Sequence, residues 1–214
     1  MKLLLIFEEI LDQFLKINKF QDYVNRKTNM RGGSNIIYHS NNTTIEEVFR
    51  EYKFNDIQEN DIVLDIGANV GGFSLFISKM VKRVYSIEPI MTNVLKSNVK
   101  LNKIDNIIVI NESLGDKINW GGSIIKTHGK SLSELINMCG GKVDFLKCDC
   151  EGGEWCIKPE ELKGIRRIEA EIHNFDGSHD FNDFLKLLED AGFGYTYKIS
   201  KDTDMLVHAI RRQI

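Results

Sequence analysis

The segment Asp65-Ile66-Gly67-Ala68-Asn69-Val70-Gly71-Gly72 has the residue types of a ligand-binding turn, with an acid at its start and glycines after it. The apolar run before it predicts a strand, and the residues after it predict a helix. Ligands of open parallel sheets bind at the carboxyl ends of strands, and glycine lets backbone N–H groups approach a ligand closely. On this segment alone, a tight strand-to-helix turn without a ligand stays open as the alternative.

The spacing of these glycines separates two classes of nucleotide ligand. It is Gly-x-x-x-Gly, whereas dinucleotide-binding turns have Gly-x-Gly-x-x-Gly and are built for a pyrophosphate anion. A carboxylate at Asp65 instead suits a cationic amino group, such as that of a methionyl moiety. The turn therefore favours S-adenosylmethionine over NAD as the cofactor, with Asp65 beside the amino group.

Two further polar segments follow the next predicted strands. Glu88, which precedes Pro89, lies about 20 residues after Gly67, the interval at which an acid reaches the ribose hydroxyls of a nucleotide. The loop with Glu112 and Ser113 follows the third strand and should face the adenine. We therefore predict Glu88 and Pro89 at the ribose, and Glu112 or Ser113 at the base. For the last two, a polar loop without a ligand stays the alternative.

The densest group of carboxylates lies in Lys147-Cys148-Asp149-Cys150-Glu151-Gly152-Gly153-Glu154. Asp149 ends a strand that should lie beside the first one, so we expect it to face the cofactor methyl group and to serve both cofactor binding and catalysis. Glu151 is placed to orient or deprotonate a substrate hydroxyl. In the alternative, both acids only pair with Lys147 and cap the short helix that follows.

Alternation along the segment 168–173 puts Glu169, Glu171 and His173 on one face of a strand. His173 lies at the carboxyl end of that strand, and histidine is the side chain most easily poised as a base near neutral pH. We therefore predict His173 as the first choice of general base and Glu151 as the second. A structural histidine is the alternative.

No metal site is predicted. Asp149, Glu151 and His173 do offer the oxygen and nitrogen ligands that a divalent ion accepts, and that interpretation stays open as an alternative. The four cysteines, which lie between residues 139 and 156, lack the Cys-x2-4-Cys pairs of structural zinc sites. They are predicted to be small buried hydrophobic side chains with reduced thiols.

The elements that position these residues alternate between strands and helices from residue 61 onward. The predicted strands are 62–66, 83–88, 107–111, 143–149 and 167–173, and the predicted helices are 73–81, 92–102, 131–138, 158–162 and 180–191. A final hairpin joins 195–199 to 205–211. This rhythm predicts an α/β domain with a mostly parallel sheet, helices on both faces and an antiparallel terminal hairpin.

Residues 1–43 are predicted as an N-terminal helical extension and 44–214 as the main domain. A helix over 3–20 has apolar residues at helical spacing, which indicates packing on the main domain or, as the alternative, a homodimer contact. No signal peptide and no stretch near the ~20 apolar residues of a membrane span is found. The expected location is therefore cytoplasmic.

The net charge of the chain indicates which class of partner to expect. The 214 residues carry a formal net charge of -3, so a global basic field for nucleic acid is absent. We therefore expect a small-molecule or glycan acceptor and do not expect nucleic acid. A local patch remains the argument for the alternative of RNA; it would consist of Lys82, Arg83, Lys96, Lys100, Lys103, Arg166 and Arg167.

Together these motifs resemble the FkbM-like family of class I S-adenosylmethionine methyltransferases. The match runs from about Thr44 to Arg211 and is most specific at the glycine turn and at the Lys147–Glu154 segment, which is close to the family pattern K-x-D-x-E-G-x-E. Glu171-Ile172-His173 matches the family's E-x-H strand. Ser133 replaces an Asp that is usual in the family's T-L-D-x-L helix start.

The resemblance implies a seven-stranded Rossmann-like sheet with a reversed last strand and methyl transfer, usually to the hydroxyl of a sugar, glycolipid or natural product. It implies cofactor contacts at Asp65, Gly67, Asn69, Gly71 and Glu88. Ala68, which lies between Gly67 and Asn69, belongs to the predicted cofactor-binding set as well. Two alternatives stay open: an RNA methyltransferase, and a non-catalytic module that binds S-adenosylmethionine, because fold alone does not prove activity.

Overall fold

A computed structural model describes Val48, residues 51–201 and residues 203–212. The predicted helix over 3–20 and the boundary at residue 43 lie outside the described residues, and so does the segment 26–42, which the sequence predicts to be irregular. The capping-box spacing at Thr44 predicts a helix to about Tyr52. Of that helix the structure describes Val48 and Glu51, which are helical, and Tyr52, which is not.

Nine strands are described. They are β1 (Ile62–Ile66), β2 (Arg83–Ile87), β3 (Ile107–Ile110), β4 (Lys117–Trp120), β5 (Ser123–Lys126), β6 (Phe145–Cys148), β7 (Arg167–His173), β8 (Phe193–Lys201) and β9 (Asp204–Arg211). Seven of them form one sheet in the order β3-β2-β1-β6-β7-β9-β8, and β9 is antiparallel to both neighbours. The predicted fold class, a mostly parallel sheet with an antiparallel terminal hairpin, is confirmed.

Four α-helices connect these strands: α1 (Gly72–Ile77), α2 (Thr92–Leu101), α3 (Leu132–Met138) and α4 (Phe181–Asp190). The start of α3 follows from a capping box, in which the Ser131 hydroxyl accepts from the Glu134 N–H and the Glu134 carboxylate accepts from the Ser131 N–H. Short 3-10 helices cover Ser78–Met80, Gly153–Cys156 and Pro159–Leu162.

Three elements differ from their predictions. The helix predicted over 73–81 changes to 3-10 geometry at Ser78, and the helix predicted over 158–162 is entirely 3-10. A two-stranded antiparallel hairpin, β4 and β5, stands where no strands were predicted, and it is separate from the main sheet. Two residues of β4, Ile118 and Trp120, line the cavity at the carboxyl edge of the main sheet.

The core lies on both faces of the sheet. One cluster joins β1, β6 and β7 to α3 and α4, and the other joins β1 and β2 to α1. Val63, Leu64 and Ile66 in β1 are at most 1% exposed, as expected for a strand covered on both faces. Because the five parallel strands run in one direction, their carboxyl ends meet at one edge of the sheet, and the predicted site residues follow those ends. No helix in the described part of the chain is long and apolar enough to cross a membrane.

Candidate active site

A cavity of about 430 Å³ opens at the carboxyl ends of the parallel strands. This volume suits a ligand of cofactor size. The predicted residues that line it are Gly67, Ala68, Asn69, Glu88, Pro89, Glu112, Ser113, Asp149, Glu151 and His173. Asp65 and Gly71 are not among its lining residues, and their predicted contacts need correction.

Gly67 allows two strand ends to come together. Its φ is +74°, and a Cβ there would lie 1.6 Å from the backbone oxygen of Asp149. The N–H groups of Gly67 and Ala68 both donate to the backbone oxygen of Ile87, at 3.0 and 3.1 Å. The glycine is thus required by the close approach of β1 and β6. These two N–H groups therefore bond within the sheet, and the predicted cofactor contacts of Gly67 and Ala68, which both line the cavity, stay predictions.

Gly71 has a packing role. It is the N-cap of α1 with φ +96°, and a Cβ there would lie 2.6 Å from Cδ1 of Leu95. Its freedom of conformation therefore lets α1 start close to α2. The predicted direct contact between Gly71 and the cofactor is not supported, because Leu95 and Leu75 surround the place of its side chain.

Asp65 is fully buried beneath the cavity. One carboxylate oxygen accepts from the Ser74 hydroxyl at 2.5 Å, and the other lies 3.4 Å from Nζ of Lys147. Burial raises the pKa of Asp65, and the Lys147 ammonium opposes that effect. The predicted contact with a cofactor amino group is not supported by this geometry. Asp65 instead positions Lys147, its cross-strand partner in β6.

Glu88 lines the cavity at the end of β2 although it is only 3% exposed. Its carboxylate accepts backbone N–H groups of Asn69 at 2.8 Å, Ile90 at 2.6 Å and Met91 at 2.8 Å. These bonds fix the carboxylate between the β1 turn and the segment before α2. Each carboxylate oxygen can accept more than one hydrogen bond, so the ribose hydroxyls remain suitable donors.

The two residues predicted at the base differ in their bonding. The Ser113 hydroxyl donates to Thr127 Oγ1 at 2.7 Å and is buried, so it already has a partner within the protein. Glu112 lines the cavity and has no hydrogen bond or ion pair within the described part of the chain. Glu112 is therefore the better candidate for contact with an exocyclic amino group.

Asp149 is held by three side chains. Its Oδ2 accepts from the Tyr52 hydroxyl at 2.8 Å and lies 3.4 Å from Nζ of Lys147, while Oδ1 lies 3.9 Å from Nε2 of His173. Burial alone would raise the pKa of Asp149, but Lys147 and His173 lower it overall. Asp149 is therefore a carboxylate at neutral pH and presents negative charge to the cavity.

His173 faces acidic partners on two sides. Its Nδ1 lies 3.4 Å from Oε1 of Glu154, and Asp149 lies on the other side of the ring. Burial would lower the pKa of His173, but Glu154, Asp149 and Glu151 raise it to about 10. A raised pKa makes His173 a poorer proton acceptor near neutral pH, which weakens the prediction of His173 as the first choice of general base.

Two other carboxyl groups of the cavity have a pKa near neutral pH, which is the property that a general base requires. Burial raises the pKa of Glu151 and that of Glu171 to about 7 each, with Asp149 adding to both effects. Sequence reasoning proposed Glu151 but gave Glu171 no role. The sequence did contain a signal for Glu171: strand alternation places it on the same face as His173, two residues earlier. Glu169, two residues earlier still, is fully buried and bonds to Arg167 and His208 instead.

The cavity is rich in acids. Seven carboxyl side chains line it: Glu51, Glu88, Glu112, Asp149, Glu151, Glu171 and Asp204. Lys147 and His173 are the basic ones, and Lys147 donates to the backbone oxygen of Gly67 at 3.0 Å. This charge suits a ligand with positive groups, and S-adenosylmethionine carries a sulfonium and an ammonium.

Two groups of side chains within the described residues have the spacing of metal ligands. Asp149, Glu171 and His173 form one group, in which the ligand atoms lie within 4.8 Å of one another. A metal there would need a neutral His173, whereas its acidic neighbours favour the protonated form. Cys148 and Cys150 form the other group with Glu154, whose carboxylate already accepts the N–H groups of Cys150 and Gly152.

The cysteines were predicted to be buried. Cys139, Cys148 and Cys150 are buried and pack in the core beside β6, whereas Cys156 is exposed. The last of these differs from the prediction because it ends a 3-10 helix at the surface rather than a strand.

The sheet order and the cavity at its carboxyl edge define a class I S-adenosylmethionine-dependent methyltransferase domain. The chain belongs to the TRM5/TYW2 methyltransferase domain family, whose model matches residues 12–125, just over half of its length. The class predicted from the sequence is thereby confirmed, whereas the finer FkbM-like assignment stays a prediction because the matched family is another one.

Two curated relatives show the extent of sequence similarity. The tRNA (guanine(37)-N(1))-methyltransferase Trm5b of Pyrococcus abyssi is 38% identical over 65 residues, which are 29% of this chain and 19% of that protein. The 23S rRNA (uracil(1939)-C(5))-methyltransferase RlmD of Photorhabdus laumondii is 39% identical over 108 residues, 44% of this chain and 25% of that protein. The chain thus spans about a quarter or less of the length of these relatives.

Solved structures support the fold. An rRNA methylase from Streptococcus thermophilus superposes with a TM-score of 0.54 at 12% identity, covering 73% of this chain and 90% of that one. A Streptococcus mutans protein solved in complex with SAH gives a TM-score of 0.54 at 11% identity, covering 79% and 96%. These two structures share the fold, and the predicted cofactor, S-adenosylmethionine, is confirmed by the methyltransferase family to which the chain belongs.

The prediction about partners is wrong. Nucleic acid was not expected, yet the curated relatives are named for methylation of tRNA and rRNA. The expectation rested on net charge, which is a sum over the whole chain and does not exclude a local surface for nucleic acid; seven of the 31 acids line the cavity.

Proposed function

We propose that this chain transfers a methyl group from S-adenosylmethionine to a nucleobase of RNA. The observation that carries the proposal is an aromatic surface beside the two weakly acidic carboxyl groups. Phe175, which follows β7, stacks on His173 with ring centroids 5.0 Å apart and an interplanar angle of 18°, and it is 42% exposed. Unstacked RNA bases bind to such aromatic faces.

The cofactor is held by residues at the ends of β1, β2, β3 and β6. Glu88 accepts from the ribose hydroxyls, Glu112 contacts the adenine, and Asp149 faces the positive end of the methionyl part. When bound, S-adenosylmethionine supplies a methyl group on a sulfonium, which is already activated for transfer. The protein's remaining task is to orient the acceptor and to take up its proton.

The acceptor lies over β7, on the side of the cavity away from β2 and β3. Phe175 and Trp120 both line the cavity and offer flat apolar surfaces for a base. In the transfer, the acceptor atom would bond to the methyl group as the methyl–sulfur bond breaks, with S-adenosylhomocysteine as the leaving group. The proton of the acceptor passes to Glu171, which is ionised in a large fraction of molecules at neutral pH because its pKa is about 7. His173 stays protonated and holds Asp149 and Glu171 in place.

Methyl transfer to RNA is measured with S-adenosylmethionine labelled in its methyl group. We expect label in unmodified tRNA or rRNA transcripts and none in DNA of the same sequence. Nuclease digestion then assigns the label to a base or to ribose. Cofactor binding without transfer to any RNA would favour the non-catalytic module, and label in a ribose hydroxyl would contradict a nucleobase acceptor. A cytoplasmic location and a homodimer stay predictions.

Glu88→Gln should weaken cofactor binding at least about tenfold, because a hydrogen bond to a charged group contributes roughly 1.5–3 kcal/mol. Isothermal titration calorimetry with S-adenosylmethionine measures the change. Glu160→Gln, the same substitution at an exposed acid before β7, serves as the matched control. Equal affinities for both variants would contradict the role of Glu88.

A further inference from the structure

We propose that the hairpin of β4 and β5, residues 117–126, binds the phosphate backbone of the RNA whose base enters the cavity. The inference rests on the proposed function and adds the surface that holds the substrate. The hairpin is outside the main sheet and was not anticipated from the sequence. Its position, its unpaired lysines and the charge of the cavity support this role independently.

The hairpin forms one wall of the cavity. Ile118 and Trp120, on the same face of β4, line the cavity. Between them, the N–H of Asn119 donates to the backbone oxygen of Glu151 at 2.9 Å. This bond joins the hairpin to the loop after β6, at the edge of the sheet where the cavity lies. An RNA that contacts the hairpin would therefore have its neighbouring nucleotide at the acceptor side of the cavity.

The other face of the hairpin carries two opposed lysines. Lys117 and Lys126 are directly opposite each other in the antiparallel pair, and both are exposed. Like charges at such positions destabilise a hairpin. Neither lysine side chain has an ion pair or a hydrogen bond within the described residues. A phosphate placed between them would replace this repulsion with two favourable contacts.

The tip of the hairpin leaves room for a polyanion. Gly121 and Gly122 have φ of +58° and +80°, and a Cβ at either would meet nothing within 4 Å. Ile124, beside the tip, is 74% exposed. The tip is thus an open, small-residue surface on which the sugar–phosphate chain can lie beside the two lysines.

The cavity itself is unsuited to phosphates. Its seven carboxyl side chains repel them, so the backbone must bind outside while a single base enters. Two of the three arginines suspected from the sequence are engaged elsewhere: Arg166 pairs with Asp61 at 2.7 Å, and Arg167 is buried and pairs with Glu169. The third, Arg83, is the first residue of β2 and so lies at the edge of the sheet opposite the cavity. Of the charged surface near the acceptor side, the Lys117–Lys126 pair is therefore the better candidate.

The test measures binding of a fluorescein-labelled, unmodified tRNA transcript by anisotropy over a range of salt concentrations. Lys117→Ala/Lys126→Ala should bind about tenfold more weakly at about 100 mM salt. The slope of log K against log salt should become shallower by about 1.4, because each phosphate contact to a single strand contributes about 0.7. Lys79→Ala/Lys163→Ala removes the same charge from exposed positions that precede β2 and β7, and it should match the wild type.

The outcomes separate the two proposals. If the wild type binds no tRNA or rRNA transcript, the proposed function fails together with this inference. If the wild type binds RNA and the hairpin variant matches it in affinity and salt slope, only the inference fails, and the phosphates bind elsewhere on the protein. Calorimetry with S-adenosylmethionine should give equal affinities for the wild type and the hairpin variant, which excludes a folding defect as the cause of weak RNA binding.

Discussion

Glu171→Gln should lower the turnover number about 100-fold or more and leave the affinity for S-adenosylmethionine nearly unchanged. A positioned general base typically contributes 10²–10⁴-fold, and glutamine keeps the shape of glutamate without accepting a proton. Glu171 lies with Asp149 and His173 at the acceptor side of the cavity. Single-turnover methylation of RNA measures the chemical step, and calorimetry measures the affinity for the cofactor.

The pH dependence identifies which carboxyl group acts. Burial raises the pKa of Glu171 to about 7, so the fraction that can accept a proton grows as the pH rises through 7. The wild-type rate should therefore increase from pH 6 to pH 8 and then level off. Glu171→Gln should lose this increase. Glu151→Gln is the matched control, because the pKa of Glu151 is also about 7.

Two results would overturn the assignment. If Glu151→Gln abolishes the pH-dependent increase while Glu171→Gln keeps it, Glu151 is the base. Glu151 was the second choice of general base in the prediction from the sequence, after His173. If both variants keep wild-type rates, neither carboxylate takes the proton. Glu171→Gln should also be at least as stable as the wild type at pH 8, since ionising a carboxyl group with a raised pKa disfavours the folded state.

The sequence predicted the main sheet well because its strands are apolar runs between turn residues. Strand β1 is buried on both faces, so its composition alone identified it. The position of the β1 turn and the acid at Glu88 followed from general rules for open parallel sheets. These features depend on local sequence, which is why they could be predicted.

Roles that depend on distant partners could not be predicted. Asp65 was read as a ligand-facing acid, but its partner Lys147 lies 82 residues later and meets it through the register of β1 and β6. His173 was read as a base, but Glu154, on a separate 3-10 helix, raises its pKa. Neither the register nor that approach is encoded in a local pattern.

The hairpin of β4 and β5 shows a signal that was present and missed. Ile118-Asn119-Trp120 and Ser123-Ile124-Ile125 flank Gly121-Gly122, and two residues with positive φ are typical of tight hairpin turns. The strands were overlooked because they are four residues long and lie outside the alternation of strands and helices. Missing the hairpin also affected the prediction of partners, because the hairpin carries the lysines proposed to bind RNA.

Lys147→Met should destabilise the fold by about 3–5 kcal/mol, the loss typical when one partner of a buried ion pair is removed. The Lys147 side chain is 4% exposed, and Nζ lies 3.4 Å from both Asp65 and Asp149. Methionine has a similar length but leaves the Asp65 carboxylate buried without a counter-charge. Urea unfolding followed by circular dichroism gives the free energy, and Lys163→Met at an exposed position should change it by less than about 0.5 kcal/mol.

A second variant identifies the unpaired charge as the cause. Lys147→Met with Asp65→Asn removes both charges, so it should recover part of the lost stability, whereas Lys147→Met with Glu160→Gln should recover none.

The loss of stability in the single variant Lys147→Met should also shrink as the pH falls. Burial already raises the pKa of Asp65, and without Lys147 that carboxyl group binds a proton more readily in the folded state than in the unfolded one. The carboxylate of Asp65 therefore destabilises the folded variant above about pH 3.9, the pKa of an aspartate in the unfolded chain. Below that pH the effect disappears. A deficit under 1 kcal/mol that is independent of pH would show that Lys147 does not hold the charge of Asp65, and the link from β1 to Asp149 would then have to rest on backbone contacts alone.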